Sequence, residues 1–170
     1  ISTIREVWWD IRPHPGFGTI ELRICDGIPT LQEVTVVTAL SQCLVHQFDT
    51  LLDRGYSLPT PRAWIVRENK WRAARHGLDA SIILDEEGTT VPLRQAIEEL
   101  VDELSPIASR LHCKDELHRT MDIVQRGTSC VRQREVVASG GSLGDVVDQM
   151  IRELREDTPT PRRTPVPAAV

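Results

Sequence analysis

WWDIRPHPGFGTIELRICD, which spans residues 8–26, is the stretch on which the fold depends most. In its second part, residues 19–26, polar and apolar side chains alternate, so Ile20, Leu22 and Ile24 point to one side of the backbone. This period of two predicts a half-buried β-strand. A single strand leaves its backbone N–H and C=O groups unpaired, so this strand needs at least one partner.

Three sources could supply the partner of that strand. Residues 1–9 could form a short strand, which a loop with two prolines and two glycines then joins to residues 19–26. The alternatives are sequence upstream of residue 1 and another chain. We therefore expect a chain that is incomplete by itself, and its first residue, Ile1 rather than Met, agrees with this expectation.

Helical periodicity dominates the remaining sequence and predicts about six helices. Thr30 and Glu33 have the spacing of a capping box and open the first helix, which Gly55 ends. Pro106 lies inside a long apolar stripe, where we expect a kink or a break. The other predicted elements are a helix at 63–76 ended by Gly77, a strand or extended segment at 80–84 with a turn at 87–88, and helices at 93–111, around 117–124, at 129–138 and from the N-cap Ser142 to about 154.

These elements predict an α+β chain that is mostly helical, with one or two strands. Residues 1–156 form the folded unit. The composition changes after Asp157, because residues 158–170 contain four prolines and almost no large apolar side chains. Such a segment buries too little surface to offset its ordering entropy, so residues 157–170 are predicted to be a disordered, proline-rich tail.

The composition narrows the function classes. The chain has 170 residues, a net charge of −5, 40% apolar and 26% charged residues, which is typical of an ordinary soluble globular domain. The negative charge argues against a nucleic-acid partner. No apolar run is long enough for a membrane span, and no signal peptide is visible, so we predict a cytoplasmic protein with no membrane partner and four reduced cysteines.

Glu21 and Arg23 are the first candidates for chemistry. They lie two residues apart on a predicted strand, so both side chains share one face. A carboxylate can bind Mg²⁺, and a guanidinium beside it can bind a phosphate with two parallel hydrogen bonds. The alternative is a cross-strand salt bridge on a solvated face. Arg12 and His14 belong to the preceding loop, which is either a binding loop or a purely structural one.

A second cluster of candidates follows in residues 67–75, where basic side chains are interspersed with Trp64 and Trp71. On a helix, Arg67, Trp71 and Arg75 share one side, which could receive a nucleotide or an anionic substrate. The alternative is an amphipathic surface helix with Trp71 in the core. A third group, residues 132–134, is a weaker candidate. The chain contains neither a P-loop nor a nucleophile elbow.

Three segments, in this order, resemble one known family. They are WWDIRPHPGFGTIELRICD at 8–26, RENKWRAARHGLDA at 67–80 and VRQR at 131–134. Together they are similar to the C-terminal half of the bacterial carboxylate–amine ligases of glutamate–cysteine ligase type 2. The first segment is specific to that family, the second supports it, and the third would be weak alone. The resemblance covers residues 4–156 and omits the tail.

The resemblance implies a fold and a reaction. The fold is similar to the catalytic domain of glutamine synthetase, an antiparallel sheet backed by helices with the active site on the open face of the sheet. The implied reaction uses ATP and Mg²⁺. The γ-carboxylate of glutamate accepts a phosphoryl group, and the amine of cysteine, or of another small molecule, displaces phosphate to give γ-glutamylcysteine, with ADP as the other product.

The resemblance also implies roles for six residues of this chain. Glu21 matches a metal-binding glutamate, and Arg23 matches the catalytic arginine beside it that stabilises the transferring phosphoryl group. Arg12, His14, Asn69 and Arg72 are expected to bind or position substrate or ATP.

One part of the family pattern is absent. The N-terminal half of the family supplies further metal-binding glutamates that nothing here matches. We therefore expect either a missing N-terminal half or a homo-oligomer to complete the site. The alternative is a non-catalytic helical interaction module derived from the ligase.

Overall fold

The computed structural model describes residues 3–58 and 60–161, with the side chain of Arg5 excepted. This part of the chain is α+β and mostly helical, with two small antiparallel sheets. The strands are β1 (Ile11–His14), β2 (Thr19–Leu22), β3 (Ser81–Ile83) and β4 (Thr90–Pro92). The helices are α1 (Leu31–Asp53), α2 (Ala63–His76), α3 (Leu93–Arg110), α4 (Lys114–His118), α5 (Thr120–Arg126), α6 (Ser129–Ala138) and α7 (Leu143–Glu156).

The first sheet is a hairpin that corrects the predicted source of the partner strand. β1 comes from the segment predicted to be a loop and pairs antiparallel with β2, with Arg12 opposite Glu21. Upstream of it, residues Ile4–Glu6 form a 3₁₀ turn rather than a strand. β2 ends at Leu22 instead of residue 26, because the next two amides, of Arg23 and Ile24, both donate to the single carbonyl of Asp10.

The helices largely follow the predicted pattern. Thr30 accepts from the amide of Glu33 at the start of α1, Gly77 ends α2, and Ser142 opens α7 through a capping box with Asp145. Of the kink or break expected at Pro106, the break is wrong, since α3 continues through this residue. Leu104 and Ala108, on either side of that proline, are completely buried, and their packing outweighs the missing backbone hydrogen bond.

Two further predictions are corrected. The single helix expected around residues 117–124 is divided into α4 and α5, and the hydroxyl of Thr120 donates to the Leu117 carbonyl at the division. The segment at 80–84 does contain a strand, β3, but the turn after it leads into a partner, β4, that the sequence pattern did not predict. Gly88 occupies this turn with a φ of 85°, a conformation that favours glycine.

The hydrophobic core lies between α1, α3 and α4. Its most buried members are Cys43, Val101, Leu104, Ala108 and Leu117. The β1–β2 hairpin lies outside this core, and its apolar face is open: Ile11, Ile20 and Ile24 are 52%, 49% and 57% exposed. None of the described helices is both long and apolar enough to cross a bilayer.

A buried ion triad joins α1, α6 and α7. Arg132 is 2% exposed and lies between the carboxylates of Glu33 and Glu153, which are 5% and 2% exposed. All five N–H donors of its guanidinium are used, two for each carboxylate and one for the carbonyl of Gly127. Arg132 is therefore a structural residue that fixes how the three helices pack.

The start of the predicted tail is attached to this triad. The Asp157 carboxylate accepts from the amide of Gln32, and the Thr160 amide donates to Glu153. Pro159 is buried. Residues 157–161 thus contact the helices, and the remainder of the predicted tail, residues 162–170, lies outside the described part of the chain.

The triad gives the stability of the protein a defined dependence on pH. Burial alone would raise the pKa of Glu153, but hydrogen bonds from Arg132 and Thr160 lower it below its ordinary value of 4.5. Between the folded pKa and 4.5, the unfolded chain binds a proton at Glu153 that the folded chain does not. The stabilisation is therefore complete above pH 4.5 and is lost as the pH falls through the folded pKa.

We expect the free energy of unfolding, measured with urea, to decrease as the pH is lowered below 4.5. Glu153→Gln should make this decrease shallower, although it also lowers stability at neutral pH. An identical pH slope in the variant would show that Glu153 does not contribute to it.

Candidate functional site

One face of the β1–β2 hairpin holds a compact charged cluster. Arg12 and Glu21 are directly opposite each other, and the Arg12 guanidinium donates to Oε2 of Glu21 from Nε at 2.8 Å and from Nη2 at 2.6 Å. Arg23 donates from Nη1 to Oε1 of Glu21 at 3.0 Å. Glu21 and Arg23 thus lie side by side as predicted, although Arg23 follows the end of β2 rather than belonging to the strand, and Arg12 joins them from β1.

The two arginines control the charge state of this cluster. Hydrogen bonding from Arg12, followed by the charges of Arg12 and Arg23, holds the pKa of Glu21 below its ordinary value. Two guanidinium charges against one carboxylate leave a net charge of about +1. The Glu21 side chain is 45% exposed, so the cluster is open to ligands. It is thus an anion-attracting surface in which the carboxylate orients two arginines.

Arg23 is held by more than Glu21. Its guanidinium lies 4.8 Å from the centre of a Trp8 ring, which is a cation–π contact. Its amide donates to the Asp10 carbonyl at 2.7 Å. Its side chain nevertheless stays 25% exposed, so it can contact a ligand while its position is fixed from two sides.

His14 follows Arg12 on the same hairpin face, and none of the hydrogen bonds described for the cluster involves it. Its ring stacks on Phe17 with centroids 4.4 Å apart. Its Nδ1 is buried and has no hydrogen-bond partner among the described residues. An unpaired buried ring nitrogen is costly, so it is a candidate for contact with a bound molecule.

Asn69 and Arg72 lie in a different place, between α2 and β3. The Asn69 amide accepts from the Ile83 N–H at 2.7 Å and donates to the Ile83 carbonyl at 2.8 Å. Arg72 donates to Glu68 at 2.8 Å and to the Ser81 carbonyl at 3.2 Å. Both residues therefore attach β3 to α2, and no described hydrogen bond links them to Glu21.

Lys70 connects the two regions. Its ammonium donates to both carboxylate oxygens of Asp10 at 2.7 Å. Asp10 in turn accepts the amides of Arg23 and Ile24 through its backbone carbonyl. This ion pair joins residues sixty positions apart and ties the end of the hairpin to α2.

Lys70→Ala is expected to loosen the hairpin next to Arg23. An exposed ion pair contributes at most about 1 kcal/mol, so protection of the Arg23 and Ile24 amides from hydrogen exchange should fall by up to about five-fold. The matched control is Arg75→Ala, because Arg75 is exposed on the same helix and forms no ion pair within the described part of the chain. Equal protection in the two variants would rule out this link.

A Mg²⁺ site would need several oxygen ligands close together. The described residues contain no group of three or more His, Cys, Asp or Glu side chains that could hold an ion. Glu21 directs both of its oxygens to arginines. The donor set of Mg²⁺ is several oxygen atoms, so the described residues do not by themselves fit this ion.

The sequence pattern did not indicate the ion pair of Lys70 with Asp10 that ties the hairpin to α2. Asp10 was visible only as a loop residue and Lys70 only as one of several basic residues, and their separation along the chain gave no signal for pairing. Away from this site, the structural role of Arg132 was missed too, because it stood in a group ranked as weak. A single buried basic residue leaves no periodic signal, since its burial depends on the two glutamates that other helices bring to it.

Comparisons with known proteins give one consistent family. A model described as glutamate-cysteine ligase family 2 matches residues 1–149. A Frankia casuarinae protein named "Putative glutamate--cysteine ligase 2-1" is 56% identical over 94% of this chain and 42% of its own length. A Thermobifida fusca protein named "Putative glutamate--cysteine ligase 2" is 55% identical over 94% of this chain and 40% of its own length. The chain thus spans about two fifths of the length of these curated relatives.

Proposed function

The chain belongs to glutamate–cysteine ligase family 2, and from this we propose that it supplies part of the active site of an ATP-dependent carboxylate–amine ligase. The single observation that supports this most is the Arg12–Glu21–Arg23 cluster on the charged face of the hairpin. We further propose that the hairpin belongs to a larger sheet of glutamine-synthetase type. Its exposed apolar side chains are consistent with such a sheet.

The proposed reaction has two steps. An oxygen of the glutamate γ-carboxylate attacks the γ-phosphorus of ATP, and the bond to ADP breaks. The nitrogen of an amine, for which cysteine is the first candidate, then attacks the acyl carbon. Phosphate leaves with the former carboxylate oxygen, and the amine nitrogen loses a proton. The product with cysteine is γ-glutamylcysteine.

The residues of this chain would act through charge and position. The transferring phosphoryl group bears negative charge on its oxygens, and fixed guanidinium groups stabilise such charge best when their geometry exists before the reaction. Arg23 is the proposed catalytic group, because Trp8, Glu21 and the Asp10 carbonyl already fix it. Arg12 and His14 would bind substrate beside it, and Asn69 and Arg72 would act mainly by shaping the region around β3.

The family resemblance implies Mg²⁺, whose place in this chain depends on the carboxylates that could bind it. The charged cluster of the hairpin offers one carboxylate, that of Glu21, which two arginines already engage. A complete ion site would need further carboxylates from sequence that corresponds to the unmatched part of the longer relatives. We therefore assign Glu21 first to the orientation of Arg12 and Arg23.

A second candidate function is a non-catalytic interaction module. The observation in its favour is the same pairing, because a carboxylate fully engaged by two arginines can be a plain surface ion network. The two functions predict different effects of replacing Glu21 in a complete enzyme. Turnover should fall if Glu21 belongs to the ligase active site, and it should not change if the cluster is only a surface ion network.

A chimera tests the proposal directly. This chain would replace the matching part of the Frankia casuarinae relative, and ADP release dependent on both glutamate and an amine would be measured. We expect the chimera to be active and Glu21→Ala to reduce its activity strongly. The 170-residue chain alone should show no activity. If the relative is active but the chimera is not, or if Glu21→Ala has no effect, the interaction-module function is favoured.

A further inference from the structure

Two thiols face each other in the helical core. All four cysteines of the chain are free. The Sγ atoms of Cys43 in α1 and Cys113 at the start of α4 lie 3.8 Å apart, although seventy positions separate them along the chain. Cys43 is one of the most buried core residues, and Cys113 packs against the same core. No contact with another thiol is described for Cys25 or Cys130, so this pair is singled out by position.

The backbone holds Cys113 opposite Cys43. His112, between α3 and α4, has a φ of 56°, a left-handed conformation that turns the chain at a helix end. The Cys113 amide donates to the Ala108 carbonyl, and the Cys113 carbonyl accepts from the Leu117 amide, each at 3.0 Å. A disulfide has its sulfur atoms about 2.0 Å apart, so the two Sγ atoms must approach by about 1.8 Å, which side-chain rotation can supply.

The two thiols differ in their access to solvent. Cys43 is completely buried, whereas Cys113 is half-buried. Burial, followed by hydrogen bonding with Cys113, raises the pKa of the Cys43 thiol to about 11, so this thiol is not ionised at neutral pH. The thiolate is the form that attacks an oxidant. An oxidant in solution therefore reacts first with Cys113, and Cys43 can react only with the sulfur beside it.

We propose that Cys43 and Cys113 are an oxidation site, at which a peroxide converts the two thiols into a disulfide that links α1 to α4. The Cys113 sulfur attacks one oxygen of hydrogen peroxide, the O–O bond breaks, and the thiol proton leaves with the second oxygen as water. The Cys43 sulfur then attacks the sulfenic acid of Cys113. An S–S bond replaces the S–O bond, and the departing hydroxide takes the Cys43 proton. Two thiols thus give two electrons to one peroxide, which becomes two water molecules.

The proposal goes beyond ligation and does not rest on it. Neither cysteine belongs to the Arg12–Glu21–Arg23 cluster, and the helices that the disulfide would link form the core rather than the hairpin. The expected consequence concerns stability. A link between positions seventy residues apart restricts the unfolded chain, so the oxidised protein should resist unfolding more than the reduced protein does.

Urea denaturation measures this consequence. We expect oxidation to raise the urea midpoint of the 170-residue chain by about 1 M or more. Cys113→Ser, which removes one sulfur at a half-buried position, should abolish the shift. An unchanged midpoint in the fully linked protein would contradict the proposed connection of the two helices across the core.

Peptide mapping identifies the linked cysteines. The 170-residue chain would be treated with dilute hydrogen peroxide, its remaining thiols blocked with iodoacetamide under denaturing conditions, and its proteolytic peptides analysed by mass spectrometry. We expect the Cys43–Cys113 disulfide to predominate in the folded protein and dithiothreitol to reverse it. When oxidation takes place in urea, pairings with Cys25 and Cys130 should appear as well. Absence of the Cys43–Cys113 peptide, or the same pairings in folded and unfolded protein, would overturn the proposal.

Dimedone, which labels sulfenic acids, tests the order of the steps. Without Cys43 the sulfenic acid of Cys113 has no thiol beside it, so Cys43→Ala should increase the labelling of Cys113 about five-fold or more. The matched control is Cys130→Ala, because the Cys130 Sγ contacts the Thr128 hydroxyl rather than a thiol. This control should leave the labelling of Cys113 unchanged. Equal labelling of Cys113 in the two variants would show that Cys43 does not react with it, which would overturn the proposal.

Discussion

Arg132→Ala is expected to lower the free energy of unfolding by about 3–5 kcal/mol, the cost of removing one partner from a buried ion pair. The variant leaves Glu33 and Glu153 buried and facing each other, with no cation between them. It also removes the four hydrogen bonds that link α6 to α1 and α7, and a fifth to the carbonyl of Gly127. Because total stabilities are only about 5–15 kcal/mol, this single change removes a large fraction.

Urea denaturation monitored by circular dichroism measures the effect. Arg134→Ala is the matched control, because Arg134 is exposed on the same helix and should change stability by less than about 0.5 kcal/mol. Arg132→Lys should also destabilise, since an ammonium has three donors where five are used. Similar stabilities for the Arg132 and Arg134 variants would show that the triad does not hold the helices together.

Arg23→Lys in the chimera is expected to reduce kcat about ten-fold or more, because a point charge cannot replace a planar fork that donates two parallel hydrogen bonds. The loss should appear in kcat more than in KM if Arg23 acts on the transferring phosphoryl group. Folding should be little affected, since the ion pair with Glu21 is half-exposed.

The control for this experiment is Arg134→Lys, which makes the same chemical change at an exposed position far along the sequence. Steady-state ADP release at saturating ATP gives kcat for each variant. Unchanged turnover in Arg23→Lys would remove Arg23 from the mechanism and leave the cluster as a surface salt bridge.

Local signals were sufficient to predict most of the helices. The N-cap residues Thr30 and Ser142 and the terminating Gly77 stand where the structure has helix ends, because each acts on backbone groups within a few residues of itself. Pro106 misled the prediction for the opposite reason. Its local effect is real, but α3 is held by burial of Leu104 and Ala108 against distant parts of the chain.

The candidate site was predictable only in part. The alternation of side chains predicted that Glu21 and Arg23 lie close together. The position of Arg12 opposite Glu21 depends on the hairpin register, which the sequence did not predict because prolines interrupt the strand pattern. Pro13 lies within β1, and the sequence therefore indicated a loop. Asn69 and Arg72 were predicted as ligand contacts. In the structure their side chains donate to backbone carbonyls of β3, and the sequence pattern gave no sign that α2 packs against this strand.

Isotope transfer in the chimera tests whether an acyl phosphate forms. With glutamate labelled by ¹⁸O in its γ-carboxylate, the proposed acyl phosphate sends one labelled oxygen into inorganic phosphate for each amide formed. Mass spectrometry of the released phosphate should therefore show one ¹⁸O atom per γ-glutamylcysteine. Amide formation with unlabelled phosphate, or with the label in AMP, would rule out the acyl phosphate.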